Sequence, residues 1–169
     1  GPRSGLLLNL VDMRLYYFPK GAAIESFAIG TGQEAWNTPL GGTTIVRKAA
    51  NPAWHVPKSF RKEKPELPAV VPPGPDNPLG KFALYLGWPS YLIHGTNKPE
   101  GVGRRVSHGC VRLYPEGIAS LFPRVAIGTK LTVVAQPAKV GRRAGELLLE
   151  VHPSLKQADQ IEEQNGKFT

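Results

Sequence analysis

Three short apolar runs open the chain, at residues 6–11, 14–18 and 24–29. They are rich in Leu, Ile, Tyr and Phe and are broken by Asp12 and by Pro19-Lys20-Gly21. Runs this short, stopped this often by turn residues, suit the strands of a β-meander. The pattern continues. Residues 43–46 read as a strand after the turn of Pro39, Gly41 and Gly42, and 81–86 and 91–94 as two more around Gly87-Trp88-Pro89-Ser90. Residues 130–135 read as a closing strand and 146–151 as one beyond it, with a turn at 141–143. Short helices are expected over 57–64, with Pro57 at the first position, and over 115–122, with Pro115 near the start. A third is expected over 154–164, with Ser154 as N-cap and Gly166 as the stop. The expected fold is mainly β: a sandwich-like or barrel-like sheet with a few short helices and no internal repeat.

Two segments resist this pattern. Residues 65–80 are dense in Pro and Gly and read as a long loop, which suits either a lid or binding element or a plain surface insertion. Residues 100–106 form a Gly- and Arg-rich loop. The chain of 169 residues suits one domain with a real core. No apolar run reaches membrane-span length, so no membrane span is expected. The opening Gly1-Pro2-Arg3-Ser4 has no initiator Met and no signal peptide is visible, which reads as an excised or processed fragment.

Chemistry concentrates in Ser107-His108-Gly109-Cys110-Val111-Arg112, which holds the one cysteine of the sequence. A thiol is a weak nucleophile until an imidazole takes its proton. Two histidines are at hand: His108, two residues before Cys110, and His94 in Ile93-His94-Gly95-Thr96. Residues i and i+2 of an extended segment share a face, so spacing alone leaves either as the base. Gly109 permits a sharp turn that frees the N–H groups of His108, Gly109 and Cys110 to face an oxyanion. Arg112 offers a planar fork for a substrate carboxylate. Ser107 is expected to order the loop by hydrogen bonding, since the Gly-x-Ser-x-Gly setting of a serine nucleophile is absent. Thr96 and Asn97 flank the site and are expected to bind substrate with Arg112, Gly95 is expected to line it, and Tyr114 flanks it as well. Trp54, His55 and Trp88 read first as ordinary packing and second as groove lining.

Other chemistries fit less well. His94, His108 and Cys110 could bind zinc, but His-x-Cys is not a common zinc spacing, and no metal or other cofactor is expected. Gly101-Val102-Gly103 lacks the rest of a dinucleotide fingerprint. The net charge of +8 and pI near 9.8 invite a polyanion. The cations are scattered, however, with the densest groups at 58–62, Arg104-Arg105 and Arg142-Arg143, and no nucleic-acid-binding motif accompanies them.

The motif, with its upstream His94-Gly95-Thr96-Asn97, resembles the active-site signature of the L,D-transpeptidases of the YkuD fold. The resemblance runs from about residue 6 to about 133 and takes in Arg14-Leu15-Tyr16-Tyr17-Phe18 and Thr38-Pro39-Leu40-Gly41. Asn51-Pro52-Ala53-Trp54 and Gly74-Pro75-Asp76-Asn77-Pro78 resemble the Gram-negative periplasmic branch. It implies a catalytic domain over 5–136 with a strand-plus-helix extension over 137–169, exported to the periplasm. It also implies peptidoglycan stem peptides as partners, possible attachment of an envelope lipoprotein, and carbapenems as covalent inhibitors. Cys110 would form a thioester with the third stem residue, releasing D-Ala. His94 would be the base, its ring oriented by the Gly95 carbonyl, with His108 lining the oxyanion site. The acceptor is an amine; water, giving a carboxypeptidase or hydrolase, stays open, as does a non-catalytic wall-binding module.

Overall fold

A computed structural model describes residues 4–33 and 37–156. In chain order its strands are β1 (Gly5–Asn9), β2 (Arg14–Phe18), β3 (Glu25–Gly32), β4 (Gly41–Ala50), β5 (Trp54–His55), β6 (Val70–Val71) and β7 (Phe82–Leu86). Then follow β8 (Leu92–His94), β9 (Arg105–Ser107), β10 (Val111–Leu113), β11 (Lys130–Val134), β12 (Ala138–Arg143) and β13 (Glu146–Val151). Two short helices, α1 (Lys58–Glu63) and α2 (Pro115–Leu121), and a 3-10 turn at Pro99–Gly101 complete the described elements.

The opening meander pairs antiparallel, with Leu8 opposite Leu15 and Leu15 opposite Phe27. On the other side of β1 lies β11, parallel, with Leu6 opposite Leu131 and Leu8 opposite Val133. Partners in a ladder share a face, so these side chains form one buried layer. The sheet continues through β4, β7, β8 and β10, and β10 then pairs back onto β3. Eight strands thus close into a barrel-like ring, with β9 attached in parallel to β3. Closure leaves few open edges among these strands. Leu6, Leu8, Leu15, Ile29, Ile45, Leu84, Ile93 and Leu113 make the core, and α2 adds Ile118 and Leu121 to it. Each such side chain contributes about 1.5–3 kcal/mol through its removal from water.

Several local expectations need correction. Residues 141–143 are not a turn. Gly141, Arg142 and Arg143 belong to β12 and pair with Leu148, Leu147 and Glu146. The turn is Ala144-Gly145, with φ of 50° and 86°, the doubly positive pair that a two-residue hairpin matching strand twist demands. Pro57 precedes α1 rather than starting it: its φ is −58° but its ψ is 147°, and a ring that fixes φ does not fix ψ. The loop 65–80 contains β6, which pairs with β5. Of the helix expected at 154–164, only Leu155 and Lys156 are helical among the described residues; 157–164 lie outside them.

The motif segments Asn51-Pro52 and Asp76-Asn77-Pro78 now have a physical link. Asn77 is buried; its Nδ2 donates to the carbonyls of Pro52 (2.9 Å) and Pro72 (3.1 Å), and its Oδ1 accepts from Leu79 N–H at 2.9 Å. One amide thus ties the two ends of the 51–80 excursion together. The β12–β13 hairpin is tied to the barrel through Lys139, whose Nζ lies 2.7 Å from Asp12 Oδ2 and 2.8 Å from Tyr16 OH.

Candidate active site

Strands β8 and β10 run parallel as neighbours, with Ile93 opposite Val111 and His94 opposite Arg112. Ile93, Val111 and Leu113 are buried in the core. Side chains alternate along a strand, so His94 and Arg112 point to the other face, and the charge of Arg112 acts on both His94 and Cys110. The pairing brings the second histidine candidate, distant in sequence, beside the cysteine segment.

His94 is the last residue of β8 and is 3% exposed. Its Nδ1 lies 2.5 Å from the Gly95 carbonyl oxygen. A carbonyl only accepts, so Nδ1 carries the hydrogen and Nε2 the lone pair. Burial, with the Arg112 charge adding to it, pushes the imidazole down to about 4, although backbone bonds to Gly95 and Leu79 work the other way. Cys110 is half-buried. Its thiol donates to the Ser90 carbonyl at 3.5 Å. Burial pushes it up, against a backbone hydrogen bond from Leu92 and the charge of Arg112. Both directions favour an uncharged thiol and an uncharged imidazole at neutral pH rather than a standing ion pair.

The segment between Ser107 and Cys110 is fixed by its carbonyls. Ser107 Oγ donates to the Cys110 carbonyl at 2.6 Å, Thr38 Oγ1 to the Gly109 carbonyl at 2.8 Å, and Gln33 N–H to the Ser107 carbonyl at 2.9 Å. Fixing a carbonyl fixes its peptide plane, and so the direction of the N–H across it. Gly109 has φ +99°, a conformation that a side chain would strain.

Arg112 is half-buried. Its Nε is shut off from water and has no hydrogen-bond partner among the described residues. Burial works against its charge, while Cys110 and Glu100 favour it. A buried guanidinium nitrogen without an acceptor is costly unless a ligand supplies one.

The family is decided by the chain itself: residues 3–134 match the family model of the L,D-transpeptidase catalytic domain, YkuD. The chain belongs to the YkuD family. It is 45% identical over 159 residues to the probable L,D-transpeptidase YbiS of Escherichia coli strain K12, covering 90% of this chain and 52% of that protein. To the probable L,D-transpeptidase ErfK/SrfK of Salmonella typhimurium it is 42% identical over 160 residues, covering 90% and 52%. The chain spans about half the length of these curated relatives. Its fold matches the catalytic domain of the Enterococcus faecium L,D-transpeptidase acylated by ertapenem, with a TM-score of 0.59 at 21% identity over 79% of this chain and all of that one.

Within this YkuD domain the remaining sequence candidates separate. Gly95 and Thr96 are buried beside His94, and Thr96 Oγ1 accepts from Lys98 N–H at 2.9 Å. Asn97 is exposed. Tyr114 is exposed and lines a shallow groove with Ser26, Phe27 and Glu116. Trp88 packs on the core and on Tyr91, and His55 is exposed on β5. Trp54 meets Phe60 edge-on with centroids 5.5 Å apart, and Phe60 lies against His108 at 3.8 Å. Thr38, Phe60 and Glu63 reach the cysteine segment and were not singled out from sequence. Thr38 had a signal in its Thr-Pro-Leu-Gly segment, whereas the two α1 residues had none. Among the described residues, no three His, Cys, Asp or Glu side chains come together as a metal site, and no helix is long and apolar enough to cross a membrane.

Proposed function

We propose that this domain is a cysteine L,D-transpeptidase acting on peptidoglycan stem tetrapeptides in the periplasm. Cys110 Sγ attacks the carbonyl of the third stem residue as its proton passes to His94 Nε2. The N–H groups of His108, Gly109 and Cys110 receive the oxyanion. The amide C–N bond to D-Ala breaks, His94 returns the proton to the leaving amine, and a thioester remains on Cys110. An acceptor amine then attacks the thioester, giving up its proton through His94, and the thiol is restored. Arg112 grips a substrate carboxylate through its guanidinium fork.

The observation that carries the reading is the shared face of two neighbouring parallel strands. On that face His94 and Arg112 are register partners, the charge of Arg112 acts on both His94 and Cys110, and the Gly95 carbonyl takes His94 Nδ1. The acylated state of the Enterococcus structure supports carbapenems as mimics of the donor. The acceptor is an amine of a second stem or a lysine of an envelope lipoprotein. Residues 5–136 act as the catalytic unit, with 137–169 as an extension.

Incubation with purified disaccharide-tetrapeptide, followed by mass spectrometry, tests this. A cross-linked dimer with loss of D-Ala is expected. Hydrolysed tripeptide alone would make water the acceptor, and unchanged tetrapeptide would point to a wall-binding module.

A further inference from the structure

Helix α1 meets the cysteine segment at the ring of His108. The centroid of Phe60 lies 3.8 Å from that of His108, and Glu63 Oε2 lies 3.0 Å from His108 Nε2. Phe60 and Glu63 are three residues apart and share one face of the helix. One packs obliquely on the imidazole, the planes tilted by 41°, and the other meets its Nε2. An ionised carboxylate only accepts, so in this contact Nε2 carries the hydrogen. His94 is fixed the other way round, with its hydrogen on Nδ1 toward the Gly95 carbonyl. His108 thus offers Nε2–H to a carboxylate where His94 offers Nδ1–H to a carbonyl, and the two partners come from separate parts of the chain.

The backbone of His108 leads directly into Gly109, where φ is +99° and no side chain restrains the turn. Beside the hydrogen bonds that hold the Ser107, Gly109 and Cys110 carbonyls, the ring of His108 is a further handle by which α1 can act on this turn. Glu63 is the one acidic residue of α1, among Lys58, Arg61 and Lys62.

We propose that Glu63 is a positioning residue: through His108 it holds the Ser107–Cys110 segment in the geometry that receives the oxyanion. This rests on the reading of Cys110 as an acyl-forming nucleophile. Glu63 touches no reacting atom, and its effect is confined to steps that build negative charge on a carbonyl oxygen.

The test compares the wild-type chain with Glu63→Ala and Glu63→Gln in three measurements: the acylation rate with a carbapenem, the alkylation rate with iodoacetamide, and the ring ¹⁵N spectrum of His108 in its neutral form. Acylation needs the oxyanion site and alkylation does not. Glu63→Ala is expected to acylate about tenfold more slowly, as a small misplacement of catalytic groups would cause. Its alkylation rate should stay within about twofold, since that rate follows the thiolate. Glu63→Gln should recover most of the acylation rate, because its amide oxygen still accepts from Nε2–H. Loss of helix cannot mimic this, since Ala is the better helix former.

Equal slowing of both reactions in Glu63→Ala, wild-type acylation by it, or a Gln variant as slow as the Ala variant would overturn the proposal. If the wild-type chain itself forms no acyl adduct, the transpeptidase reading fails and the spectrum decides the positioning. An Nε2–H tautomer in wild type and Glu63→Gln, but not in Glu63→Ala, supports it; identical spectra in all three overturn it.

Discussion

His94 and Arg112 are register partners on the parallel neighbours β8 and β10. The pairing puts a permanent cation beside a buried imidazole, and burial and that cation together push His94 down to about 4. An imidazole held this low stays neutral across the physiological range, at the cost of weaker basicity.

Loss of His94 should remove the proton acceptor for acylation. His94→Ala is expected to slow acylation by about 10²–10⁴-fold, the range of general base catalysis. A progress curve with a carbapenem chromophore measures this. His108→Ala should be less affected, and the opposite ranking would move the base to His108.

The Cys110 thiol should titrate above the ordinary range, because burial raises it. Its iodoacetamide alkylation rate should therefore climb continuously through neutral into alkaline pH. A standing thiolate–imidazolium pair would instead give a plateau from weakly acidic pH upward. A rate profile over that range distinguishes the two.

His94 also links stability to pH. Its folded value of about 4 lies below the ordinary 6.5, so the unfolded chain binds the extra proton between them. The stabilisation is fully present above the unfolded value and is lost as pH falls through the folded one. The span corresponds to at most about 3.5 kcal/mol. Urea melts from pH 7 to 4 should show the fall, and His94→Gln should flatten this part of it.

Arg112→Lys keeps the charge but loses the planar fork. Donor KM should rise by about tenfold or more, in line with about 1.5–3 kcal/mol for a hydrogen bond to a charged group. Unaltered kinetics would demote Arg112 to a structural cation.

Gly80 underlies the segment that follows His94. Its φ is +67°, and a Cβ there would lie 2.9 Å from Thr96 N. Gly80→Ala should destabilise the fold by about 1–3 kcal/mol, as expected of a non-glycine residue forced into this region. It should also disturb acylation by moving Gly95 and Thr96, which denaturant melts and acylation rates would show together.

Much of the fold was legible because it is written in local pattern. The limits of β2 and β13 follow directly from apolar runs bounded by turn residues, and α2 from Pro115 before its apolar stretch. The barrel itself was not legible in this way. Its closure depends on β10 pairing with both β8 and β3, and no run of three residues announces its distant partners. The hairpin turn was misplaced because Gly141 looked like punctuation, while the chain uses Ala144-Gly145 at positive φ. In the site, the chemistry-bearing side chains stood out by type and spacing. Glu63 and Phe60 did not, because an α1 residue gains meaning only from where the 51–80 excursion is folded back, and that is set by the buried Asn77 amide.

The central claim is that Cys110 forms a covalent acyl adduct. Intact-protein mass spectrometry after incubation with a carbapenem, with peptide mapping of the wild type and of Cys110→Ala, tests it most directly. The account predicts one adduct per chain, on the peptide containing Cys110, and none on a folded Cys110→Ala. An adduct on a lysine, an adduct that survives in Cys110→Ala, or no adduct on the folded wild-type chain would contradict it.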